Sequence, residues 1–200
     1  MQRSKIICAV DPGHGGANHG AVSMGNLAQE EHLTLSVGLA VQDIDPTILL
    51  TRDSDTTVAY TTRATVLEQK GASLVVCLHY DSWPEDQRVH GLRAYYHSGN
   101  KRTRELARFA LLNAPEPLRG GKIIADKNST PGVRRLCRVY PMDVLLIEFG
   151  FLSNFYDLKF LIRQDGIDAC AKLVVACCER YKSIIGADHG RQTTGSGRES

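Results

Sequence analysis

Three short apolar runs of this chain lead to a residue that can bind a metal ion or transfer a proton. These residues are His14, His79 and Glu148. Unbroken apolar runs of this length are typical of strands that helices bury on both faces. Because the carboxyl ends of parallel strands lie along one edge of a sheet, we expect the three side chains to meet at that edge.

A fourth group, Glu30, is expected at the same edge because it lies in the first turn of a helix predicted from about residue 28 to residue 43. Glu30 shares the core-facing stripe of this helix with Leu33 and Val37. A carboxylate on that face costs free energy unless another group pairs with it. The neighbouring Glu31 is predicted on a less apolar face, so Glu30 is favoured as the functional acid.

Two imidazoles and two carboxylates at one sheet edge indicate a particular chemistry. Two histidines and one carboxylate form a known catalytic zinc set, which leaves a fourth position for water. The ion lowers the pKa of that water, and a further carboxylate can take its proton and pass it to a leaving amine. Glu148 is the residue expected to supply this second carboxylate.

Each of these residues also has a structural alternative. A loop histidine can cap backbone groups, a strand-end histidine can be a satisfied hydrogen-bonding residue, and Glu148 can pair with Arg52 or Arg63. Two glycines, Gly15 and Gly16, follow His14 and favour the functional interpretation, since glycine lets the backbone approach a ligand closely. We therefore expect Gly15 and Gly16 to keep the floor of a substrate cleft clear.

The rest of the chain alternates between strand-like and helix-like segments. Further strands are predicted near residues 47–51, 91–96, 122–125 and 136–139, and a helix capped by Asp55 or Thr56 is predicted before Gly71. This pattern predicts a single α/β domain over residues 1–185, with a mainly parallel twisted sheet flanked by helices on both faces. Residues 186–200 have nothing to bury, and we predict a disordered tail there.

Composition excludes several classes of protein. The formal net charge of +2 is far from a nucleic-acid-binding signature. The apolar runs are too short to cross a bilayer, and no secretory signal precedes the first strand, so we expect cytoplasmic synthesis without membrane insertion. The six cysteines have no C-x-x-C spacing and are expected to be buried, reduced thiols.

In combination, these motifs resemble the zinc-dependent N-acetylmuramoyl-L-alanine amidases of the third amidase type. The matching stretches cover roughly residues 6–181 and are Asp11–Gly16, Glu30, Thr51–Asp53 with Arg63, His79, and Leu146–Asn154. The resemblance implies cleavage of the amide between the lactyl group of N-acetylmuramic acid and L-alanine in peptidoglycan. It also implies that His14, Glu30 and His79 hold one Zn²⁺ and that Glu148 is the catalytic acid and base.

The chain departs from the family pattern beside two of these residues. The family usually has Glu-Lys where this chain reads Glu30-Glu31-His32, so Glu31 and His32 are alternative ligands, although the helix face favours Glu30. After the second histidine the family commonly has a small residue and then Asn or Asp. Here the bulkier Tyr80-Asp81 follows, and we expect the substrate fit near the metal to differ.

The segment between His79 and Gly91 is too short for the long autoinhibitory helix of some cell-division members, so we expect an open site. A compact amidase without a signal sequence or wall-binding module resembles a phage endolysin, released at lysis to act on peptidoglycan in the periplasm or cell wall. We expect a monomer. The alternatives are another zinc peptidase or amidase acting on cell-wall peptides, and a non-catalytic peptidoglycan-binding module, against which Glu148 argues.

Overall fold

The computed structural model describes the backbone of residues 5–194 and the side chains of residues 5–187. Six strands of this part of the chain form one sheet: β1 (Ile7–Pro12), β2 (Leu49–Leu50), β3 (Ala72–Asp81), β4 (Arg93–Tyr96), β5 (Lys122–Ala125) and β6 (Asp143–Phe151). Their order across the sheet is β2-β1-β3-β6-β4-β5. The first three strands of the chain therefore form one half of the sheet, and β6, which carries Glu148, is central beside β3.

Helices cover both faces of the sheet, as predicted. They are α1 (Glu30–Ile44), α2 (Tyr60–Gln69), α3 (Lys101–Leu112), α4 (Pro131–Val139), α5 (Phe155–Leu161) and α6 (Gln164–Thr194). Buried residues of α1, α3, α5 and α6 form the larger hydrophobic cluster on one face. Those of α2 and α4 form a smaller cluster on the other face.

Strand direction decides which side chains reach the candidate site. β1, β2, β3 and β6 pair in parallel, whereas β4 is antiparallel to β6. β5 then pairs with β4 in parallel. The sheet is thus mainly parallel, which confirms the predicted class. The carboxyl ends of β1, β3 and β6 lie beside the beginning of β4, and the register places Glu148 between His79 and Arg93.

Side-chain alternation places His79 and Glu148 on the same face of the sheet. Cys77 of β3 and Leu146 of β6 belong to the cluster packed under α2 and α4. Successive side chains of a strand point to opposite faces, so residues two positions further along return to that face. His79 and Glu148 are therefore neighbours on one surface as well as at one edge.

The strand predicted over residues 136–139 is wrong, because this segment forms the end of α4. The side chain of Thr130 caps this helix by accepting a hydrogen bond from the backbone N–H of Val133, and Pro131 occupies the first turn. Leu136 and Cys137 are buried toward the sheet. The short apolar run was therefore the inner face of a helix.

Two helix ends also differ from expectation. α2 begins after Ala59 without a side-chain cap, and Asp55 instead accepts a hydrogen bond from the backbone of Gly16. α6 continues to Thr194, so residues 186–194 have helical backbone where a disordered tail was expected, since an established helix extends at little cost. The remainder of that expected tail, residues 195–200, lies outside the described residues, and the domain boundary at residue 185 stays a prediction.

The cysteine prediction is confirmed: all six are buried and none forms a disulfide. Within the described part of the chain, none of the helices combines the length and apolar character needed to cross a membrane.

Candidate active site

Two buried arginines hold the loop that carries His14. Arg52 donates from Nε to the carbonyl of Pro12 and from Nη2 to the carbonyl of Gly13, both at 2.9 Å. Arg63 forms an ion pair with Asp11 at 2.6 Å and donates to the carbonyl of His14. His14 itself has a left-handed φ of 62°, a conformation that costs free energy and needs such support.

Because both guanidinium groups are engaged with this loop, the alternative in which Glu148 pairs with Arg52 or Arg63 is wrong. The two arginines position the backbone that presents His14.

Glycines make room for the functional side chains in this loop. A Cβ at Gly13 would clash with the ring of His79, and one at Gly20 would clash with Glu30. Both glycines therefore allow the backbone to lie directly against the candidate ligands. The sequence motifs did not single out Gly20 for this role.

Gly15 and Gly16 have a different neighbour. A Cβ at either position would clash with Thr56 or Thr57, so their small size is required by packing against residues 52–57. Gly15 also lines a cavity of about 150 Å³ beside His14. Their contact with substrate stays a prediction.

His14, Glu30 and His79 converge at the sheet edge, as the sequence predicted. Nε2 of His14 lies 3.1 Å from Oε2 of Glu30, and Nδ1 of His79 lies 3.0 Å from Oε1 of Glu30. One donor atom from each of the three residues lies within 4.8 Å of the others. In a tetrahedral zinc site with bonds of about 2.0–2.1 Å, the donors are roughly 3.3 Å apart, so this set could hold a divalent ion.

Hydrogen bonds behind the cluster fix its orientation. Nδ1 of His14 lies 2.9 Å from Oδ1 of Asn18, which leaves Nε2 directed at Glu30. The two oxygens of Glu30 accept from the backbone N–H groups of Ala21 at 2.7 Å and Tyr80 at 2.9 Å. Such outer partners are typical of metal sites, where they hold the ligand rings and carboxylates in place. No sequence motif pointed to Asn18 in this role.

The same contacts set the charge of the cluster. Burial opposes ionisation of Glu30, but hydrogen bonds from His14 and His79 and their charges outweigh it and lower its pKa to about 2. Burial also opposes protonation of His14, yet the hydrogen bond and charge of Glu30 raise its pKa above the ordinary value. Glu30 is therefore a carboxylate at neutral pH, the form that binds cations.

Glu31 was expected on a less apolar helix face, but its side chain is fully buried. Its Oε1 atom lies 2.6 Å from Nδ1 of His19 and 3.9 Å from Nε2 of His32. Both glutamates of the first turn are thus buried, each with its own histidines. The geometry favours Glu30 over Glu31 and His32 as the third member of the central cluster.

Glu148 lies in a different environment on the neighbouring strand. It is 8% exposed, and its Oε2 atom accepts a hydrogen bond of 3.0 Å from the hydroxyl of Tyr95. Asp81 lies close by and pairs with Arg93 at 2.7 Å. Burial and the negative charge of Asp81 raise the pKa of Glu148 to about 8.

The pairing of β6 with β3 and β4 brings Asp81 and Tyr95 next to Glu148. Arg93 lies opposite Glu148 across the β4–β6 pair, and Tyr95 follows two residues later on the same face. The sequence indicated a strand here but not its antiparallel direction, so no signal placed Tyr95 against Glu148.

The loop between β3 and β4, residues 82–92, contains turns and bends but no helix. This agrees with the prediction that no long helix follows His79. That the site is open stays a prediction.

A His-Glu-His cluster that could hold a metal ion, beside a buried carboxyl with a raised pKa, is the kind of arrangement found in metal-dependent hydrolases. A family model described as N-acetylmuramoyl-L-alanine amidase matches residues 8–179 of this chain. The chain therefore belongs to the N-acetylmuramoyl-L-alanine amidase family, whose members hydrolyse the amide bond between N-acetylmuramic acid and L-alanine in peptidoglycan.

Individual relatives agree with this assignment. The germination-specific N-acetylmuramoyl-L-alanine amidase of Bacillus subtilis strain 168 is 28% identical over 202 residues, covering 90% of this chain and 78% of the relative. N-acetylmuramoyl-L-alanine amidase CwlM of Bacillus licheniformis is 28% identical over 173 residues, covering 82% of this chain but 63% of the relative.

A solved structure supports the fold. N-acetylmuramoyl-L-alanine amidase AmiC2 of Nostoc punctiforme superposes with a TM-score of 0.77 at 24% identity, covering 89% of this chain and 97% of that chain. The α/β architecture is thus shared with an amidase of known structure.

Proposed function

We propose that this chain is a zinc-dependent amidase in which His14, Glu30 and His79 hold one Zn²⁺. The observation that carries the proposal is the spacing of the three donors, 3.0 and 3.1 Å from imidazole to carboxylate. When bound, zinc would polarise the scissile carbonyl and acidify the attacking water. Asn18 and the backbone of Tyr80 would keep the ligand atoms in place.

Glu148 would move the proton. In its ionised form it takes a proton from the attacking water, and in its protonated form it returns that proton to the nitrogen of L-alanine as the amide bond breaks. A pKa near neutrality suits both transfers, and that of Glu148 is raised to about 8. The hydroxyl of Tyr95 would orient the carboxyl for both steps.

Gly15 and Gly16 would contribute to substrate binding through their small size. The N–H of Gly15 donates to the carbonyl of Asn18, and that of Gly16 donates to Asp55. Neither N–H is thus left to bind substrate, so the contribution would be the close approach of substrate beside His14.

Peptidoglycan is the expected polymeric substrate. Cytoplasmic synthesis, release at lysis by an endolysin-like protein and a monomeric state stay predictions.

The test is digestion of purified peptidoglycan by the purified chain, with identification of each new terminus and parallel measurement of bound metal. We expect new amines on L-alanine alone, loss of activity with a chelator, and recovery with added zinc. New amines on other residues would favour a different cell-wall peptidase. Binding to the polymer without any new terminus would favour a non-catalytic module.

A further inference from the structure

Arg93 of β4 lies in the same row of side chains as His79 and Glu148. The register pairs His79 of β3 with Glu148 of β6, and it pairs Glu148 with Arg93 of β4. Residues that pair directly across a sheet point to the same face, and neighbouring strands are about 4.8 Å apart. Arg93 therefore begins one strand beyond Glu148, on the side away from His79.

Two contacts hold the guanidinium group of Arg93 in place. Its Nη1 atom donates a hydrogen bond of 2.7 Å to Oδ2 of Asp81, and its central carbon lies 4.4 Å from the centre of the Phe151 ring. No described residue accepts a hydrogen bond from Nε or Nη2, and the side chain is 16% exposed. A held, partly exposed arginine with two nitrogens still to donate is suited to bind a planar anion such as a carboxylate.

The charges around Arg93 are compatible with such an anion. Asp81 is the counter-ion of Arg93, so this pair is neutral before substrate binds. Glu148 adds little negative charge at neutral pH, because burial and the charge of Asp81 raise its pKa to about 8. The donors of an arginine point in several directions, so Arg93 can bind a second carboxylate while it keeps its bond to Asp81.

The direction of the substrate follows from the proposed amidase function, on which this inference rests. The carbonyl of the scissile bond belongs beside the His-Glu-His cluster, and the leaving nitrogen of L-alanine belongs beside Glu148. The stem peptide continues from that nitrogen, away from the cluster and toward β4. Successive Cα atoms of a peptide are about 3.8 Å apart, so the residue after L-alanine comes within reach of Arg93.

We propose that Arg93 is a specificity-determining residue, which binds the α-carboxylate of the stem-peptide residue that follows L-alanine. In peptidoglycan this residue is either D-glutamate, with a free α-carboxylate, or D-isoglutamine, in which the same carboxyl is an amide. The amide has no charge and only one acceptor oxygen, so it cannot receive two charge-assisted hydrogen bonds from the arginine. The chain therefore prefers stem peptides that carry the free carboxylate.

The test compares two purified peptidoglycans from one bacterium, isolated with and without its amidating enzyme, which differ at this carboxyl. Release of L-alanine amines by the intact chain is measured at limiting polymer concentration, where the rate is proportional to kcat/KM. We expect the wild-type chain to prefer the free-acid polymer by about tenfold, the scale of a partly solvated hydrogen bond to a charged group.

Two substitutions of Arg93 sharpen the comparison. Arg93→Gln should lower the rate on the free-acid polymer and bring the ratio of the two rates near unity. Arg93→Lys keeps a positive charge beside Asp81 but loses the planar pair of donors, so it should show an intermediate ratio. Circular dichroism checks that each variant folds; if Arg93→Gln does not, a ratio in Arg93→Lys below that of the wild type takes its place.

Arg163→Gln is the matched control. Arg163 also forms an arginine–aspartate pair, with Asp165 at 2.8 Å, but it lies on the connection between α5 and α6. This variant should keep the wild-type ratio. The ratio separates substrate recognition from an effect of Arg93 through Asp81 and Glu148, because a changed pKa of Glu148 alters the rates on both polymers by the same factor.

Equal rates of the wild-type chain on the two polymers would overturn the role of Arg93. An equal loss on both polymers in Arg93→Gln would do the same. Either result leaves the proposed function standing, since L-alanine amines are still released. Release of no amine from either polymer would overturn the proposed function itself, and this inference with it.

Discussion

Glu30 and Glu148 are both buried glutamates at one sheet edge, yet their pKa values are shifted in opposite directions. Each oxygen of Glu30 meets one histidine and one backbone N–H, and its pKa falls to about 2. Glu148 meets one tyrosine hydroxyl and the negative charge of Asp81, and its pKa rises to about 8. Burial disfavours the charged form of both, so the partners decide the outcome.

The opposite pKa shifts suit Glu30 and Glu148 to two different tasks at one site. A carboxylate that remains ionised can bind a cation, whereas a carboxyl that titrates near neutrality can carry a proton. Substitutions that remove one task while sparing the other therefore test whether the two regions are as distinct as their environments indicate.

The largest effect is expected for Glu30→Gln. The amide has a similar shape but no charge, so the two histidines lose the carboxylate that completes the donor set. We expect activity to fall by more than the roughly 100-fold seen when outer partners of metal ligands are removed. Release of L-alanine amines and the zinc content of the central cluster should fall together. Full activity in this variant would contradict the role of Glu30.

Glu148→Gln should lower turnover by about 10²–10⁴-fold, the usual contribution of a general acid and base. Here the zinc content should stay equal to that of the wild type, because Glu148 is not among the three converging donors. Peptidoglycan binding measured by sedimentation should also persist. Joint loss of metal and activity would mean that the two regions are not separable.

The convergence of His14, Glu30 and His79 was predictable from their positions along the chain. His14 and His79 follow apolar runs, and Glu30 begins a helix that the apolar periodicity locates. The surroundings of Glu148 were not. Tyr95 reaches Glu148 only because β4 runs antiparallel to β6, and an apolar run carries no information on strand direction. Burial of Glu31 was missed for a related reason, since helical periodicity does not show the loop that folds over it.

Asp81→Asn should shift the pH dependence of the reaction. The charge of Asp81 raises the pKa of Glu148, so its removal lowers that pKa, and Arg93, released from its ion pair, would act in the same direction. As a base Glu148 works when ionised, so the acidic limb of kcat/KM should move to lower pH. We expect roughly one pH unit, the scale of perturbation by a neighbouring charge. A shift to higher pH would contradict this account.

The smallest effect is expected for Tyr95→Phe, and it should have the opposite sign. The hydroxyl stabilises the ionised form of Glu148, so its loss raises the pKa and moves the acidic limb to higher pH. A hydrogen bond to a charged group contributes about 1.5–3 kcal/mol, part of which water replaces, so we expect a loss of about tenfold or less near neutral pH.

Combining Asp81→Asn with Tyr95→Phe tests directly whether Asp81 and Tyr95 shift the pKa of Glu148 in opposite directions. Because one substitution removes a neighbour that favours the protonated form and the other removes one that favours the ionised form, the two shifts should largely cancel in the pH profile. Zinc content should be unchanged in all three variants, since neither residue is among the three converging donors. If instead both single variants moved the acidic limb in the same direction, the environment of Glu148 would not be set by these two partners.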